Sequence, residues 1–243
     1  MCNDGKSELV MYLIDEAENP GKGADCVISM LDHYFDKYGN NEKSLYLPAD
    51  NCTAQNKNNA TVQYLMSRVM TGKQESIQLS FTIVGHTKFS PDRHFGTFKK
   101  AFRHSTVSTI DEIASVVEKS TTNKQNVPQL IRGSRGEHLV KFYQWSSYLA
   151  QFYRSIPNIL SYHSFKVRSD KPGIVFLKKF SNSKEEVTYN ILKGDADTTI
   201  TQLKTTEPEL AVVKGLDLKH QWYLYEQIRP QPVFKLHPVQ LPV

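Results

Sequence analysis

Hydrophobic and polar positions along the chain change period several times, and each change marks an element. Leu9 to Ile14 is a short apolar run rich in strand formers, which predicts a buried strand. Pro20-Gly21-Lys22-Gly23 interrupts it. From Ala24 to Tyr38 the residues Val27, Ile28, Leu31, Tyr34 and Phe35 recur at helical spacing, with Gly39 as a stop. Leu45-Tyr46-Leu47 opens a second strand that ends at Asp50-Asn51. Val62, Leu65, Met66, Val69 and Met70 mark a helix stopped near Gly72, and Ile77 to Val84 reads as the clearest strand of all. Ser90-Pro91-Asp92 then starts a helix: serine caps, proline suits the first helical position, and the aspartate meets the positive end of the dipole. Phe95, Phe98 and Phe102 give that helix one aromatic stripe. Thr109 and Glu112 fit a capping box for another helix, whose apolar face carries Ile110, Ile113, Val116 and Val117.

Residues 121–137 are polar and contain glycine, and are expected to be a linker. A helix runs through Trp145, Leu149 and Phe152, and the aromatics Trp145, Tyr148, Phe152 and Tyr153 read as core, with base stacking as the alternative. Ser164 to Ile191 reads as three strands, with Lys171-Pro172-Gly173 and Ser181-Asn182-Ser183 as turns. The Asp/Thr-rich stretch 194–208 is expected to be mobile. A last aromatic helix lies between Val212 and Ile228, ahead of a proline-rich, extended tail. The alternation of strands and helices predicts an α/β protein: a mixed, partly parallel sheet flanked by helices over 1–120, and a small C-terminal α+β appendage over 138–243.

Composition narrows the function classes. In 243 residues with 39% hydrophobic content a packed core is within reach, and no apolar run approaches the roughly 20 residues a membrane helix needs. Met1 to Lys6 lacks the apolar stretch of a secretory signal, so an intracellular protein is expected. The cysteines Cys2, Cys26 and Cys52 form no zinc spacing and no CxxC pair. A net charge of +5 permits nucleic-acid binding without demanding it.

Two acids sit where α/β sheets gather chemistry, beyond the strand ends. Asp50 ends the second strand, and Asp92 opens the helix after the 77–84 strand. If these two strands are neighbours, the carboxylates could converge on one divalent cation. Each also has a plain structural reading, Asp50 as a turn former and Asp92 as part of an ordinary helix start.

The pairing of two blocks is more specific. Asp50-Asn51-Cys52-Thr53-Ala54-Gln55-Asn56-Lys57-Asn58-Asn59 is followed by Gly85-His86-Thr87-Lys88-Phe89-Ser90-Pro91-Asp92-Arg93-His94-Phe95-Gly96. Together they resemble an uncharacterised domain family of transposon-derived genes, with its D-N-C-x-x-Q-N-K-N and G-H-T-x-x-x-x-D motifs. The resemblance implies an RNase H-like core of the DDE/D transposase type, in which Asp50 and Asp92 match the second and third acids. It further implies Mg²⁺ or Mn²⁺ held by those acids, DNA as partner, and a nuclear location, with self-association left open. His86 belongs to the G-H-T motif. Lys57, Lys88, Arg93, Lys99, Lys100 and Arg103 are the candidate phosphate contacts, and Lys166, Arg168, Lys178 and Lys179 make a second basic patch.

The sequence departs from that pattern at one point. Only one strand precedes the first helix, so two strands and the first acid of such a core are expected upstream of Met1. Asp15 and Glu16, at the end of the surviving strand, are the nearest stand-ins. The expectation is therefore a transposase-derived nucleic-acid-processing protein, by ancestry a metal-dependent phosphodiester nuclease or strand transferase, with catalysis impaired in this chain. The alternative is a non-enzymatic remnant that binds nucleic acid or a protein.

Overall fold

The computed structural model describes residues 1–81 and 90–228. Its strands fall into two separate sheets. In the first, the apolar strand β2 (Glu8–Leu13) lies between the short antiparallel β1 (Cys2–Asn3) and the parallel β5 (Asn126–Leu130). Both faces of β2 are covered, which explains its continuous hydrophobic run. Leu9 and Met11 meet Phe98 of α3 (Ser90–Arg103) and Val117 of α4 (Ile110–Lys119). On the opposite face Tyr12 donates to the Met30 carbonyl of α1 (Ala24–Tyr38) at 2.9 Å.

The second sheet has the order β3-β4-β6-β7-β8. β3 (Ser44–Ala49) and β4 (Ser76–Phe81) are parallel neighbours joined through helix α2 (Asn59–Met70). β6 (Ser164–Arg168), β7 (Ile174–Lys178) and β8 (Val187–Asn190) continue the sheet antiparallel. The turn between β6 and β7 uses Gly173 at φ 78°, where a Cβ would also collide with Leu192. One face of this sheet (Leu45, Leu47, Ile77, Leu79, Phe81, Phe165, Val167, Val175, Leu177) packs into the main core with α2 and α5 (Trp145–Phe152).

Helix α2 is buried from Thr61 to Met70, including its polar residues Gln63, Ser67 and Arg68. Arg68 is tolerated there because its donors are used. It reaches Asp32 of α1 at 3.1 Å, the Tyr64 hydroxyl at 3.0 Å and Gln74 at 2.8 Å, and its guanidinium stacks 4.5 Å from the Phe35 ring. This pair ties α1, which rests on the first sheet, to α2, which rests on the second.

Several expectations need correction. The 9–14 strand and the 45–49 strand belong to different sheets among the described residues, not to one. The stretch 121–137, expected as a linker, contains β5. Its polar residues hid the strand because they are buried and satisfied: Asn126 is held by Thr97 and Ser120, and Gln129 accepts from Lys37 at 2.8 Å and Tyr38 at 2.7 Å. The three C-terminal strands extend the sheet of β3 and β4 and share its core, so 138–243 and the region before 120 are joined by a ladder. Residues 194–208, expected to be mobile, form α6 (Ala196–Thr205), capped by Asp195 accepting from Thr198 N–H, with Ile200 and Leu203 against the core. The last aromatic helix is confined to α7 (Leu218–Tyr223) and a wider π-type turn over Leu224–Ile228.

Candidate nucleic-acid interface

The loop between β3 and α2 is locked by its own side chains. Asp50 Oδ1 accepts from Asn56 Nδ2 at 2.6 Å and from the Cys52 N–H at 3.1 Å, while the Cys52 carbonyl accepts from the N–H groups of Gln55, Asn56 and Lys57. Asn58 closes the loop by capping α2 through Thr61 N–H at 3.0 Å. The polar D-N-C-x-x-Q-N-K-N run is thus a folded loop set at the carboxyl ends of two parallel strands.

Lys57 is the unusual member. Its side chain is 5% exposed, with Nζ 5.5 Å above the centre of the Phe81 ring at the end of β4. No carboxylate lies in ion-pair range of it among the described residues, and burial lowers its pKa.

Helix α3 is anchored on one side and open on the other. His94 is buried, with Nδ1 2.7 Å from Asn126 Oδ1, and Asn126 Nδ2 reaches the His94 carbonyl, Thr97 Oγ1 and Ser120 Oγ. Phe98, one turn further on, packs against Leu9, Met11 and Val117. The expected stripe of Phe95, Phe98 and Phe102 does not face inward as a unit, because His94 takes the central buried position and leaves Phe95 46% and Phe102 38% exposed. Arg93, Lys99, Lys100 and Arg103 all stand exposed on this helix, and so does Asp92 in its first turn.

The remaining candidates have local partners or lie elsewhere. Asp15 caps a 3-10 turn at Glu16–Glu18 by accepting from Ala17 N–H at 2.9 Å. Glu16 meets His220 of α7 at 3.2 Å. His86 and Lys88 lie outside the described residues. Among the described residues no three His, Cys, Asp or Glu side chains gather into a metal-holding group. Asp50 and Asp92 stand on different elements, and the described donors do not by themselves complete a site for Mg²⁺ or Mn²⁺. The anchoring role of His94 and Asn126 was not read from the sequence, since a lone histidine and a lone asparagine carry no spacing signal.

Residues 2–185 match the model of a domain of unknown function, DUF7869. The chain belongs to this family. The DUF7869 match takes in the Asp50 loop, α3, β5 and the first three strands of the β4-β6-β7-β8 ladder, and ends before β8. No curated protein and no solved structure matches the chain. Among the described residues no helix is long and apolar enough to cross a membrane.

Proposed function

We propose that this DUF7869 chain is a nucleic-acid-binding protein of transposase-like descent, acting in the nucleus, that grips the phosphate backbone of DNA with the outer side of α3. One observation carries the reading: four cations, Arg93, Lys99, Lys100 and Arg103, are exposed on a helix whose other side is fixed to the protein by His94, Phe98 and Asn126. A rigid helix with solvated cations offers phosphates a preformed contact, and each neutralised phosphate releases counterions. Lys57, at the end of β3 and β4, adds positive charge beside the Asp50 loop, with no ion-pair partner among the described residues.

Fluorescence anisotropy of a labelled DNA duplex across a salt series tests this. The Lys99→Gln, Lys100→Gln, Arg103→Gln variant is expected to bind more weakly, with the slope of log affinity against log salt reduced by about 0.9 for each phosphate the variant no longer neutralises. Unchanged affinity and slope in a variant that melts like the wild type would remove α3 from the interface.

Phosphodiester cleavage or strand transfer is the second reading. Asp50 favours it: it stands at the carboxyl end of a strand in a β3–α2–β4 parallel unit, where open α/β sheets collect ligands, and that unit also supports an RNase H-like ancestry. In this reading Mg²⁺ or Mn²⁺ would polarise a phosphate and activate the attacking oxygen, with Asp50 and Asp92 as ligands. Calorimetric Mn²⁺ binding abolished by both Asp50→Asn and Asp92→Asn is its expected signature. A folded wild-type chain that takes up no Mn²⁺ eliminates it.

A further inference from the structure

The five-stranded sheet has two faces of different character, and only one of them serves the core. Strand registers place Tyr46, Gln78, Lys166, Phe176 and Thr188 in one row across the opposite face. A second row runs Ser44, Ser76, Arg168, and a third runs Pro48, Ser80, Ser164, Lys178. None of these side chains joins any of the apolar clusters of the protein. Tyr46 is 61% exposed and Phe176 is half-buried, while Ser80 and Ser164 at the third row are buried, so the accessible part of the face is the Tyr46 to Phe176 row and the row beside it.

The chemistry of these rows is selective. Within the three rows the charged positions are Lys166, Arg168 and Lys178, all cationic, and the rest are small hydroxyl residues, an amide, a proline and two aromatic rings. The carboxylates near them come from outside the rows, Asp170 on Arg168 at 2.5 Å and Glu186 on Lys178 at 3.9 Å. Lys166, between the two rings, has no ion-pair partner among the described residues. Arg168 lies 5.7 Å from the centre of the Phe176 ring, so a guanidinium plane and a ring are offered together.

We infer that this open sheet face is a docking surface for a single-stranded nucleic acid, with unpaired bases stacking on Tyr46 and Phe176 and phosphates meeting Lys166. Tyr46 and Phe176 are three strand spacings apart, about 14 Å, so they engage different bases of one strand rather than one base between them. The ring of Tyr46 is exposed and that of Phe176 is partly so; rings accessible on a sheet face bind unpaired bases because every base has a stacking face, whereas a duplex hides those faces. A purely apolar partner does not suit a face studded with Ser, Gln and Lys. The inference takes only the class of partner from the function proposed above, and the surface is separate from α3.

Anisotropy of labelled oligothymidylate, oligouridylate and a DNA duplex tests it on the full chain, with Tyr46→Leu, Tyr46→Phe, Phe176→Leu and the α3 glutamine variant. The leucine variants keep apolar bulk and remove the ring, and melting curves establish that they fold. The expected result is tighter binding of single strands than of duplex, weakened roughly 10-fold or more by each leucine variant and retained by Tyr46→Phe. The comparison of oligothymidylate with oligouridylate assigns the source as DNA or RNA. Single-strand binding that ignores both leucine variants overturns the inference. Duplex binding through α3 without single-strand binding also overturns it, while leaving the α3 proposal standing. Ring-dependent single-strand binding that ignores the α3 variant supports the inference, and only if duplex binding also ignores that variant does the α3 proposal fall. Binding of no oligonucleotide, together with self-association abolished by Tyr46→Leu, would give the face to a second copy of the chain and overturn it as well.

Discussion

At the scale of single residues, polar groups inside the fold matter most where they have no spare partners. Asn126 is fully buried and spends its amide on His94, Thr97 and Ser120, so one side chain joins β5, α3 and the end of α4. Asn126→Ala should cost about 2 kcal/mol, because it strands the buried His94 N–H, and denaturant titration reads the loss directly. Lys57 works in the other direction. Burial depresses its folded pKa, so between that value and the ordinary lysine value the unfolded chain keeps a proton that the folded chain releases, and stability rises with pH through the window. Lys57→Met should therefore be more stable than the wild type at neutral pH, with the advantage shrinking as pH climbs through the alkaline range. It should also bind nucleic acid less well. Equal melting temperatures for the two proteins across that range would show that the ammonium carries no burial penalty.

Elements were legible in the sequence wherever the pattern was apolar. The strand at 9–14, the helices over 24–38 and 62–70 and the three strands after Ser164 stand where periodicity put them. The capping box of α4 is formed as expected, with Thr109 Oγ1 accepting from Glu112 N–H at 3.2 Å and the Glu112 carboxylate accepting from Thr109 N–H at 3.1 Å. Thr109→Ala is expected to lower stability by about 1 kcal/mol in thermal melts. Elements were illegible where buried positions are polar. β5 carries Asn126 and Gln129 inward, and α6 is built from threonines whose low helix propensity masks the packing of Ile200 and Leu203. The candidate site was half legible. The Asp50 loop and the cations of α3 could be named, but not that His94 is the buried residue of α3 while Phe95 stands exposed. The open sheet face was written in the alternation of Leu45-Tyr46-Leu47 and of Val175-Phe176-Leu177, yet only strand register brings Tyr46 and Phe176 into one row.

Over the whole molecule, α1 and α2 hold two sheets together, and the main core draws on residues from Ile28 to Leu192. Two halves cut at the expected linker would each lose part of that core. A fragment ending at residue 137 leaves β4 without β6 and exposes Ile77, Leu79 and Phe81 on one side. It should fail to unfold cooperatively in denaturant, while the full chain gives a coordinated transition. A cooperative melt for the fragment would mean that the first sheet and its helices are self-sufficient. The same β4–β6 pairing sets a timetable during synthesis. More than 80 residues separate the end of β4 from the start of β6, so at roughly 5–20 residues per second a ribosome leaves the nascent β4 unpaired on that side for about 4 to 16 s. Through that interval the growing chain carries a sticky, half-finished ribbon, open to association with other chains until β6 emerges.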